Sequence, residues 1–140
     1  MTTFKMRVLA TLSLIAILVP FTATAQESAH FAIPFDFTVG PKSFPAGVYT
    51  VRETTPRVLQ IRSGDGRKGM MILTNAAERS KYKGLAVMSF ERFGDRYFLS
   101  NVSNPDRGWA LPQSGDEKRL IAAAGARPAK QLEVVASARQ

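Results

Sequence analysis

The 140-residue chain contains no cysteine and a single histidine, His30. Without cysteine there is no disulfide framework to staple a small fold, and no lipid-bearing cysteine to tether an exported chain. One histidine and no thiol cannot assemble the His and Cys ligand sets of a zinc centre. A Ser-His-Asp triad has only His30 as its base, and that residue stands at the front of the first extended segment, where a solvated histidine is the simpler reading. Phosphate-cradling loops are missing as well. Gly64-Asp65-Gly66 lacks the Lys-Ser or Lys-Thr and the following helix of a P-loop, and reads as a turn. Ser63, Asp65 and nearby carbonyls make a poor oxygen cage for calcium. No cofactor is expected.

Acidic residues are the minority, 11 against 19 Lys and Arg. The first segment explains part of that balance. Lys5 and Arg7 precede a nearly uninterrupted apolar run from Val8 to Phe21, broken near its end by Pro20. Ala23, Thr24 and Ala25 then form the small-x-small pattern that signal peptidase accepts, placing the cut before Gln26. The run is shorter than the ~20 apolar residues a spanning helix wants, so residues 1–25 are expected to be a cleaved signal with no transmembrane anchor left behind. The mature chain is expected to be exported, either periplasmic or secreted. Removing two basic residues leaves 17 against 11, or +6.

That positive charge is dispersed, with Arg79, Lys81 and Lys83 as the one local cluster. It reads either as a solvated surface that blunts sheet edges or as attraction to an anionic envelope component such as lipid headgroups or surface polysaccharide. Nucleic acid is not the expected partner of an exported chain. Aromatics interleave with arginines as in some single-strand binders, but rings at period two on strands read first as core.

Short alternating segments separated by Gly, Pro, Asn and Asp dominate the mature chain, the pattern of consecutive antiparallel strands. Phe31, Ile33, Phe35, Phe37 and Val39 share one side of an extended segment, and Pro34 marks it as an edge strand or a bulge. Tyr49 and Val51 share a face, as do Leu59 and Ile61. Met70 to Leu73 is apolar on both faces and predicts a central, doubly covered strand. Asn75 to Lys83 reads as a loop. Leu85 to Phe93 and Arg96 to Ser103 form a hairpin on a type II′ Gly94-Asp95 turn, pairing Phe93 with Arg96, Phe90 with Leu99 and Met88 with Asn101. Arg92 then falls beside the Tyr97 ring.

Ser114 and Glu117 match a capping box, so a helix starts at Gly115, with Leu120 and Ile121 available to dock it. Gly125 and Pro128 stop it, and residues 125–140 are expected to be a loosely held tail. The fold expected over residues 26–124 is all-β: an antiparallel meander of about seven strands, as a small barrel or a sandwich, with a short C-terminal helix.

The stretches Phe31-Ala-Ile-Pro-Phe-Asp-Phe-Thr-Val-Gly40, Phe44-Pro-Ala-Gly-Val-Tyr-Thr-Val51 and Arg92-Phe-Gly-Asp-Arg-Tyr-Phe-Leu-Ser100 resemble a family of small exported bacterial β-rich proteins of unassigned function. The resemblance implies the fold. It carries no functional residues across, because its motifs are strand and turn signatures.

Two functions fit these residues. A non-enzymatic exported binding or structural module would use Arg79, Lys81 and Lys83, or the Phe93 and Phe98 face, to meet a lipid, glycan or protein. A carboxylate-based hydrolase acting on envelope or external polysaccharide would need two of Asp36, Asp65, Glu78, Glu91, Asp95 and Asp106 to converge in a cleft. Turn and surface roles account for each of these acids singly.

Overall fold

The computed structural model describes residues 28–125 and 130–136. The expected signal segment and its cleavage residues Ala23, Ala25 and Gln26 lie outside the described residues.

Phe31 and Ile33 bury one side of β1 (Ala29–Ile33) while Ala32 stays exposed. Pro34 ends that strand, and the chain crosses to a second sheet before resuming as β2 (Phe37–Val39). The expected edge strand is therefore real, and the proline also serves as the corner between two sheets. A Gly40-Pro41 turn leads into β3 (Lys42–Phe44), and the chain returns to the first sheet at Pro45 and Ala46 to form β4 (Gly47–Thr55). The two corners are tied together, since the Ala46 N–H donates to Asp36 Oδ1 at 2.8 Å.

Three hairpin-linked strands follow: β4, β5 (Val58–Ser63) and β6 (Gly69–Leu73). The β4–β5 turn places Pro56 at its first central position and Arg57 at φ 66° in its second, the type II pattern. The first sheet has the order β1-β4-β5-β6. This corrects the expectation for Met70 to Leu73. β6 is an edge strand, and Met71 and Leu73 are 60% and 64% exposed, because no described element covers their side of the sheet.

At buried Thr74, whose backbone N–H and hydroxyl both donate to the Arg57 carbonyl, the chain crosses back. The expected loop contains a strand instead, β7 (Asn75–Ala77), paired with β10 (Gly108–Ala110). β8 (Val87–Phe93) and β9 (Arg96–Ser103) form the anticipated hairpin, with Gly94 at φ 60° in the first turn position. The second sheet runs β11-β8-β9-β10-β7, and the β2–β3 pair joins β9 through one parallel contact, Thr38 with Phe98.

The hairpin register holds from Phe93–Arg96 to Phe90–Leu99 and then slips by one residue. Met88 faces Val102 rather than Asn101, because Ser100 is accommodated as an extra residue in β9. Its hydroxyl donates to the Ser89 carbonyl at 2.9 Å, so the bulge keeps its polar groups satisfied. The slip turns Val102 onto the Met88 and Leu99 side, where it joins the core at 3% exposure.

Helix α1 (Gly115–Ala124) begins at the expected capping box and ends at Gly125 in the left-handed region. The chain after it is not a loose tail over its described part. Lys130–Val135 forms β11, six residues paired with β8, and Leu132 and Val134 pack against the core. Two inward apolar residues suffice there because the strand is supported by a neighbour's full backbone ladder.

The architecture is thus all-β with one short helix, as expected, with eleven strands among the described residues where about seven were expected, arranged as two facing sheets, the sandwich of the two expected alternatives. Phe31, Tyr49, Leu59 and Ile61 from the first sheet meet Phe37, Met88, Phe90 and Leu99 from the second. Phe37 is the hub, edge-on to Tyr49 at 5.0 Å and to Phe90 at 5.4 Å. Each such ring contributes about 1.5–3 kcal/mol by leaving water, which lets the core hold the fold without covalent cross-links.

Candidate functional site

The two sheets part at one end, where β1 and β4 diverge from the ends of β9 and β10. A cleft of about 420 Å³ opens there. Val51, Leu59, Val102 and Trp109 supply its apolar wall, and Glu53, Asn104, Asp106 and Arg107 lie along its polar lining. Ser28 and Ala136 line it as well. The β9 bulge helps build this site, since it is the slip in register that aims Val102 inward.

Glu53 organises one flank. Its carboxylate accepts from Arg107 Nη1 at 2.9 Å, from Trp109 Nε1 at 3.3 Å and from the Arg57 N–H at 3.0 Å. The Arg107 guanidinium lies 6.0 Å from the centre of the Trp109 ring. One carboxylate therefore joins the β4–β5 turn of the first sheet to β10 of the second. Trp109 is held as a wall, only 7% exposed. His30 turns to the outer face of the first sheet, with Nδ1 3.3 Å from the hydroxyl of its strand partner Thr50.

The expected interaction residues are not assembled into one surface. Phe93 and Phe98 pack edge-on at 5.8 Å and are buried, at 7% and 1% exposure. They share a hairpin face with Glu91 and Arg96, and it is these neighbours that α1 engages: Arg96 pairs with Asp116 at 3.3 Å, and Glu91 lies against Glu117. The helix removes this face from solvent, which excludes it as an open aromatic patch. Arg79, Lys81 and Lys83 are exposed on the segment after β7. Arg79 and Lys81 line a shallow groove that also holds Glu78 and Glu133, so their charge is locally balanced. Arg92 does stand beside Tyr97 as expected, at 5.6 Å.

Sequence reasoning missed two features. The first is the cleft, gathered from six separate segments with no common motif. The second is the Glu91–Glu117 contact, hidden because Glu117 already had a capping role. Burial and the hydrogen bond with Glu91 push the Glu117 carboxyl up to about 7.

Asp65 carries a turn rather than a site. It accepts from the Ser63 hydroxyl at 2.6 Å and the Arg67 N–H at 2.9 Å, and these bonds pull its carboxyl below the usual range. Among the described residues, no three acidic or histidine side chains are grouped to hold a metal ion. No helix among them is long and apolar enough to cross a membrane. Comparison with family models, with curated proteins and with solved structures finds no match to this chain.

Proposed function

We propose that the protein is a non-enzymatic exported binding module whose site is the inter-sheet cleft, taking a small molecule with an apolar body and a polar end. The observation that carries this reading is the division of the cleft itself. Val51, Leu59, Val102 and Trp109 stand on one side of a volume of about 420 Å³, with hydrogen-bonding groups at Asn104, Asp106 and Arg107. Volumes of this size with a few polar groups are typical of small-molecule sites.

A carboxylate-based hydrolase is the competing reading, and Glu53 and Asp106 are the two acids in this cleft. Glu53 is already committed to three donors from both sheets, which favours a structural role over an acid or a nucleophile. The other acid pair, Glu91 and Glu117, is in direct contact beneath α1, whereas glycosidic chemistry needs carboxyls separated by about 5 to 9.5 Å.

Native mass spectrometry of the processed protein from the envelope fraction tests the proposal. The expected spectrum reports an N-terminus at Gln26 and a co-purifying small molecule. An Ala86→Trp variant, filling the cleft from its edge, loses that molecule while keeping its melting temperature. Polysaccharide cleavage by the parent that Asp106→Asn abolishes would replace this reading with the hydrolase.

A further inference from the structure

The outer face of the first sheet, away from both the core and the cleft wall, carries an unusual combination of side chains. Among the described residues five large apolar side chains are exposed, and three of them, Val48, Met71 and Leu73, belong to this sheet and point to this face. They alternate with the buried Tyr49 and Ile72, so their outward direction follows from strand period. Half-buried Val58 pairs with Leu73 and extends the apolar strip inward.

Positive charge surrounds the strip. Residues 42–74 contain Lys42, Arg52, Arg57, Arg62, Arg67 and Lys68 against Glu53 and Asp65, six minus two, or +4. Glu53 is paired with Arg107 of the other sheet, and Asp65 is engaged by Ser63 and Arg67. A shallow groove of about 430 Å³ crosses the same face between Arg52 and Arg62, with Thr50, Gln60 and Ser63 as further hydrogen-bonding groups.

We infer that this face docks on an anionic lipid bilayer, with Met71 and Leu73 entering the headgroup boundary and the arginines meeting lipid phosphates. Apolar side chains flanked by basic ones suit such an interface, where apolar burial and attraction to anionic headgroups add. A second copy pairing on the edge of β6 is the poorer occupant. The Ser63 N–H donates to the Lys68 carbonyl, so alternation aims the Gly69 carbonyl at the open edge. There it already accepts from Lys42 Nζ at 2.9 Å, which blunts that edge.

Vesicle flotation with the processed protein tests this inference independently of the cleft. Binding is expected to vesicles of phosphatidylglycerol with phosphatidylcholine at low salt, and to be at least about tenfold weaker to phosphatidylcholine alone. Arg62→Ser and Arg67→Ser each weaken it about fivefold. Met71→Ser with Leu73→Ser, which leaves charge unchanged, weakens it about tenfold. Ala86→Trp leaves it unaltered, so failure of the cleft reading and failure of this one are separable. Thermal melts establish that each variant is folded. Equal binding to both lipid mixtures, or indifference to the Met71 and Leu73 changes, overturns the inference. So does a lipid-free dimer in sedimentation experiments that those two changes abolish.

Discussion

Glu117 of α1 sets its carboxyl against that of Glu91 on β8, two acids in contact on the face that also holds Phe93 and Phe98. Glu117 is 3% exposed, and its shift up to about 7 has burial as its main cause and Glu91 as the second. The Ser114 N–H, which donates to the same carboxyl, opposes the shift without cancelling it. Helix docking therefore takes up a proton that the unfolded chain has already released.

The sign of the pH dependence follows. Between the ordinary value of 4.5 and about 7, the folded protein binds a proton at Glu117 and the unfolded one does not. Stability contributed by this group is complete below that window and is lost as pH rises through it, by about 1 to 3 kcal/mol. Urea midpoints on either side of the window should show the loss. Glu117→Gln, which can still complete the capping box, should flatten it.

Gly94→Val should lower stability by about 1 to 3 kcal/mol through backbone conformation alone. The residue sits at φ 60°, and a side chain there meets no atom within 4 Å. Gly94→Asn should cost less, because Asn tolerates positive φ. Equal denaturation midpoints for the valine variant and the parent would contradict the turn.

Gly108→Ala should fail for a different reason. A β-carbon at Gly108 would lie 1.9 Å from the Glu78 carbonyl oxygen, so β10 must move away from the chain leaving β7. The expected cost is about 1 to 3 kcal/mol or more. Hydrogen exchange should accelerate at the β7–β10 ladder more than at β4–β5.

Glu53→Ala removes the acceptor shared by Arg107, Trp109 and the Arg57 backbone. Leaving these donors unpaired should cost about 1 to 3 kcal/mol. Trp109 is the chain's one tryptophan, so a red-shifted emission maximum reports directly on the opened cleft wall.

What the sequence discloses here is local. Period-two burial along Phe31, Ile33, Phe37 and Val39 is legible because one sheet face must exclude water over every second residue. The Ser114 and Glu117 cap is legible because both partners lie within one helical turn. The hairpin register is legible as far as Phe90 and Leu99, because a two-residue turn dictates it. The slip at Ser100 is not, since an extra small polar residue leaves no hydrophobic signature.

Longer-range relations were hidden for related reasons. Met70 to Leu73 has the composition of a doubly covered strand, and only the strand order reveals that no described element covers one face. Glu91 and Glu117 are separated by a hairpin and β10, so nothing in their spacing announces contact. The cleft depends on where two sheets part, a property of their mutual placement rather than of any segment.

The strand that shields β8 follows every other described strand in the chain. For as long as Lys130–Val135 is still in transit, β8 offers a bare row of amide and carbonyl groups to whatever strand comes near. A chain that folds as it is made thus covers that row only after every other described strand has been formed. Early release of an incomplete chain trades self-closure for assembly with other molecules.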